Sequence, residues 1–177
     1  MPGHVESHMT YSAATIANYF LDKASREGRA LTPMQLIKLV YIAHGWYLGY
    51  FKRPLIDETV QAWKYGPVIK SLYDRVRKFG SGAVQGPLPT GGMPWAPREA
   101  NVDAETAPLL DSVWDGYARF SGVQLSAMTH QDGTPWHEAW VGQGGHARYF
   151  AEIDDELIQR HYEAKIAQIQ RQQTTPA

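Results

Sequence analysis

The sequence predicts a mainly α protein, a compact single-domain bundle of about five to seven helices with a short β-ribbon near residues 56–65 and 84–98. Three observations lead there. Apolar residues recur at three- and four-residue steps in five separated segments, the period of one helix face. The run Thr59-Val60-Gln61-Ala62-Trp63-Lys64-Tyr65 is instead rich in β-branched and aromatic residues. The chain has 177 residues, 44% hydrophobic and 20% charged, enough for one self-supporting core.

The first helix is expected from Ser12 to Ser25, with Ser12 capping the free N–H groups of the first turn, Ile16, Tyr19, Phe20 and Lys23 at helical spacing, and Gly28 ending it. Thr32-Pro33 opens the second, because proline at the first helical position loses an N–H that has no partner there anyway. Leu36, Leu39, Val40, Ala43, Trp46, Tyr47 and Tyr50 follow. Burying each large side chain contributes roughly 1.5–3 kcal/mol, so this helix is expected to be the central strut. Gly66-Pro67 punctuates the β-rich run, and a third helix is expected from Val68 to Phe79. Residues 81–101, rich in Gly and Pro, read as a long surface excursion carrying the second strand. A fourth helix spans Glu105 to Phe120. Short helices follow at Ser121–His130 and Pro135–Trp140, then a loop at Gln143-Gly144-Gly145. The last helix starts at the N-cap Asp154 and carries Leu157, Ile158, His161, Ile166 and Ile169. Residues 9–170 are expected to form the domain and 171–177 a frayed tail.

Several function classes are disfavoured. A net charge of −1 lacks the basic excess on which general nucleic-acid and membrane-surface binders rely. With no cysteine there is no disulfide, thiolate zinc site, iron–sulfur cluster or thiol nucleophile, which fits a reducing cytoplasm. No apolar stretch is long enough for a membrane span. Met1 to His8 lack the apolar core of a signal peptide and read as a cloning leader, with Met9 as the native start.

The seven histidines include no pair at metal-binding helical spacing, and no cofactor is expected. There is no Gly-x-Ser-x-Gly elbow; Ser121 and Ser126 read as helix-cap residues. Gly142-Gln143-Gly144-Gly145 has no following Lys-Ser/Thr and is read as a connector. What stands out is a polar–aromatic cluster in or beside loops and short elements: Trp63, Lys64, Tyr65, Thr129, His130, Pro135, Trp136 and Trp140. It is either core packing of aromatics with satisfied polar tips or a recognition surface, for which Trp and Tyr are the usual anchors.

Three ordered motifs resemble the Panacea-domain, or SocA-like, family: Leu31-Thr-Pro-Met-Gln-Leu-Ile-Lys-Leu-Val-Tyr41 with Gly45-Trp46-Tyr47; Ala62-Trp63-Lys64-Tyr65-Gly66-Pro67-Val68; and Leu125-Ser126-x-x-Thr129-His130 with Pro135-Trp136. The resemblance runs from Thr10 to Tyr162. It implies an antitoxin, encoded beside a small toxin or carried by a phage or mobile element, that neutralises a cognate protein toxin by direct binding. In one branch the antitoxin is a proteolytic adaptor that hands the toxin to a AAA+ protease. On this reading Trp63, Lys64, Tyr65, Thr129, His130 and Trp136 contact the toxin or support the elements that do, with His130 and Lys64 the better polar contacts. The oligomeric state stays open, a homodimer included. Two other readings compete: a small hydrolase using His130 with Asp132 or Glu138, and a nucleic-acid module using Arg75, Arg77 and Lys78.

Overall fold

The computed structural model describes residues 10–90 and 102–175; residues 1–8, which the sequence reads as a leader, and residues 91–101 of the excursion lie outside them. The elements are α1 (Ala13–Arg26), α2 (Pro33–Phe51), β1 (Val60–Trp63), β2 (Gly66–Ile69), α3 (Lys70–Val76) with a 3-10 turn at Arg77–Phe79, α4 (Thr106–Tyr117), α5 (Gly122–Thr129), α6 (Pro135–His137) passing into a π turn at Glu138–Gly142, a 3-10 turn at Gly145–Ala147, β3 (Glu152–Ile153) and α7 (Asp155–Thr174). The described residues thus hold seven α-helices and a small antiparallel sheet, the mainly α bundle with a ribbon that the sequence predicts.

Helix α2 is the axis of the fold. Thr32 and Gln35 form a reciprocal capping box at its start, and Lys52 closes it in the left-handed region at φ 59°. Fourteen of its 19 residues are buried, so it is enclosed by other elements rather than backed by them along one stripe. Tyr50, spaced with the inward stripe, is nevertheless 53% exposed. Helix α7 seats on α2 through two glycines. A Cβ on Gly45 would lie 2.1 Å from the Tyr162 ring, and one on Gly49 would lie 2.9 Å from both Ile166 Cδ1 and Tyr162 Cβ. Four residues apart, they make one groove on one helix face. The Asp154 carboxylate caps α7, and Asp155 in its first turn takes the Nε2 of His44, itself fully buried, at 2.8 Å. The helix continues to Thr174, four residues into the segment expected to fray.

The ribbon is not where the Gly/Pro-rich excursion placed it. Strand β1 pairs with β2 through a two-residue turn, Lys64–Tyr65, and on its other side with β3, in the order β2-β1-β3. Gly66 and Pro67 therefore belong to a strand, and Val68 and Ile69 precede α3 instead of opening it. Pro67 is tolerated because β2 is an edge strand. Of the segment expected to supply the second strand, residues 84–90 contain none. They form a strap on α1: Val84 N–H donates to the Leu31 carbonyl, and the Asn18 amide both donates to and accepts from the Leu88 backbone at 2.9 and 2.7 Å. That side chain replaces a pairing strand, and Val84 and Leu88 are buried beneath it.

Candidate functional site

The β1–β2 turn is fixed by side chains from three helices. Its carbonyls at Trp63, Tyr65 and Pro67 all point toward the bundle, and each needs a donor if it is not to be stranded away from water. Trp136, first turn of α6, donates its indole N–H to Trp63 O at 2.6 Å. Ser126 of α5 donates its hydroxyl to Tyr65 O at 2.5 Å. Lys38 of α2 shares Tyr65 O with Ser126 and alone reaches Pro67 O, with Nζ 3.1 Å from the first and 2.9 Å from the second. Gly66 lies directly over this amine at φ +113°, and a Cβ there would come within 2.8 Å of Nζ. Only glycine fits both the backbone and the space.

Lys38 is 2% exposed and faces carbonyl dipoles, with no carboxylate partner among the described residues. Burial pulls its pKa down to about 7, because desolvation disfavours the charged form. Either protonation state supplies the two N–H bonds that the turn takes.

Around the turn the aromatic side chains form a chain of ring contacts. Trp136 meets the His130 ring edge-on at 5.2 Å and stacks with Trp140 at 5.7 Å. Trp63 packs edge-on against Tyr73 at 4.8 Å and donates its indole N–H to Gln61. His130, C-cap of α5, directs Nδ1 at the Ser126 carbonyl, which fixes the proton on that nitrogen. Thr129 is buried, its hydroxyl donating to the Leu125 and Ser126 carbonyls of its own helix.

The structure thus brings all six candidate residues into one neighbourhood, in unequal positions. Trp136 and Thr129 are buried, Trp63 and His130 half-buried, and Lys64 and Tyr65 stand out at the turn, with Tyr65 61% exposed and the Lys64 ammonium 5.3 Å from its ring centre. Two assignments change. Ser126 is not a cap; Ser121 caps α5 in a capping box with Gln124, and Ser126 serves the turn. His130 makes no hydrogen bond or ion pair with Asp132 or Glu138 among the described residues; Asp132 pairs with His137 at 3.3 Å. Lys38 is the participant that sequence reasoning passed over. Its signal was a lone charge inside an otherwise apolar helix.

The three signature motifs therefore meet at one structural point, and comparison with known proteins agrees. A family model described as antitoxin SocA-like, Panacea domain matches residues 36–137, more than half of the chain. The chain belongs to this family. The antitoxin SocA of Caulobacter vibrioides (strain NA1000 / CB15N) is 28% identical over 169 residues, covering 92% of this chain and 88% of the relative. No solved structure matches. The matched span holds Lys38, the whole β1–β2 hairpin, Ser126 and Trp136, so the family signature coincides with the parts that lock the turn.

Among the described residues no helix is long and apolar enough to cross a membrane, and no group of three or more His, Asp or Glu side chains could hold a metal ion.

Proposed function

We propose that this chain is an antitoxin that neutralises a cognate protein toxin by binding it directly, with the β1–β2 turn at the contact. Membership of the SocA-like family supports the antitoxin role. The observation that carries the placement is the immobilised turn: four hydrogen bonds from three helices hold the carbonyls of Trp63, Tyr65 and Pro67, while the side chains of Lys64 and Tyr65 are left in solvent. A loop fixed in advance loses little entropy on association, which favours binding without adding a contact. Lys64 and Tyr65 are the contact residues in this reading. Thr129, His130 and Trp136 support the turn from behind, and Trp63 lies beside it on the outer face.

The test is co-expression with the small protein encoded beside it. Growth rescue together with a stable purified complex supports the antitoxin reading; a harmless neighbour that does not co-purify overturns it. In the finer reading the chain is also an adaptor for a AAA+ protease. That version requires the toxin's half-life to shorten when this chain is present and to recover in cells lacking the protease.

A further inference from the structure

Beyond the turn, the outer face of the sheet carries an aromatic surface that starts at Trp63 and extends past the family motifs to Phe150 and Tyr149. Along β1 the residues alternate, with Val60 and Ala62 buried and Gln61 and Trp63 on the outer side. Trp63 is bordered by Tyr73 from α3 and, 6.3 Å away, by Phe150. Phe150 in turn lies 6.4 Å from Tyr149. Tyr149 is 94% exposed and Phe150 56%. Phe150 also has φ +56°, the left-handed region that a bulky side chain rarely adopts. Its neighbour Ala151 is anchored, its carbonyl accepting the Ala62 N–H at 2.8 Å. The backbone is therefore held in an unfavourable conformation that places a large apolar ring in water. Burial offers no return for that strain, whereas a partner covering the ring would.

The charges beside these rings are mostly basic. Lys64 adjoins Trp63 and Tyr65, and Arg148 adjoins Tyr149; neither has a carboxylate partner among the described residues, Arg148 donating only to the Gln143 carbonyl. Of the acids next to these residues in sequence, Asp74 is paired with Lys70 at 2.7 Å, and Glu152 has no ion pair among the described residues. In a chain whose net charge is −1, this is a locally cationic rim around an apolar centre.

We infer that this face, from the Lys64–Tyr65 turn across Trp63 to Phe150 and Tyr149, is the toxin's docking surface, and that the toxin segment it takes carries carboxylates flanking apolar side chains. The inference rests on the antitoxin reading and adds the chemistry of the partner to it. The apolar rings supply the central contact and the basic rim guides the encounter.

The experiment measures binding of the full chain to the small protein encoded beside it, by titration calorimetry and by stopped-flow at two salt concentrations. Phe150→Asn keeps a residue that tolerates the left-handed backbone and removes the ring. Its melting temperature is expected to match or exceed that of the parent chain, while Kd weakens roughly thirtyfold, the effect of losing an interface anchor. Lys64→Glu combined with Arg148→Glu is expected to slow association about tenfold and to remove most of its salt dependence. If the parent chain binds and both variants bind equally well, the docking face is overturned while the antitoxin reading stands. Tighter binding by the double charge reversal overturns the acidic partner. If the parent chain itself does not bind, the antitoxin reading falls and the docking face with it.

Discussion

The Trp136 indole donates its N–H to the backbone carbonyl of Trp63, 73 residues earlier in the chain, at 2.6 Å. The two tryptophans are thus joined through a peptide group. The bond ties the turn of a β-hairpin to the first turn of a helix that has only three residues before it widens into a π turn.

Replacing Trp136 by Phe keeps an aromatic ring but removes the indole N–H that ties the Trp63 carbonyl to α6. Urea unfolding of W136F should show a loss of about 0.5–2 kcal/mol, the contribution of one buried hydrogen bond together with some lost packing. Toxin affinity should fall as well, because the turn is released. A loss under about 0.5 kcal/mol would mean that this bond does not hold the hairpin.

Lys38 makes stability depend on pH in a definite direction. Its folded pKa is about 7, below the ordinary lysine value of 10.5, so between these values the unfolded chain binds more protons. Stability must therefore rise as pH increases through that window, and the contribution is flat below it, where both states are protonated. In Lys38→Met the rise should disappear. The check is the difference between urea midpoints of the two proteins from pH 6.5 to 9.5, which cancels every other titrating group. Parallel curves would show that Lys38 is not desolvated.

Gly45→Ala places a methyl group 2.1 Å from the Tyr162 ring. Separating α2 from α7 enough to admit it should cost at least the 1–3 kcal/mol typical of overpacking. Combining it with Tyr162→Ala should be markedly less destabilising than the sum of the single changes, since both act on one contact. Additive losses in thermal melts would argue that the ring moves aside freely.

The parts of the fold that were legible in the sequence depend on neighbours a few residues apart. Thr32 with Gln35, Ser121 with Gln124, and Asp154 each cap a helix within one turn, so their meaning is written locally. Residues whose partners are distant were misread or missed. Lys38 reaches carbonyls 27 and 29 residues on, and Ser126 one 61 residues back. Val68 and Ile69 form a short apolar run that suits a helix start as well as a strand; pairing with Val60 and Gln61 decides for the strand. The loop aromatics were visible as a group, and their residue types alone left packing and recognition equally open. It took the hydrogen bonds of Trp136 and Thr129 to separate the supporting members from the exposed pair at the turn. Phe150 carried no sequence signal at all, since nothing in its surroundings announces a left-handed backbone.

The enclosure of α2 also governs how the molecule comes apart. Helices α1, α3, α4, α5 and α7 and strand β2 all rest on this one helix, so no group of elements can detach while keeping its own apolar lining covered. Unfolding should be all-or-none, and amide protons along α2 should exchange with solvent only through that global event, at rates that follow total stability. The strap at 84–90 and the far end of α7 should exchange much sooner. The molecule therefore resembles an arch with one keystone: slow to open anywhere near α2, and left with no intermediate resting place once α2 is released.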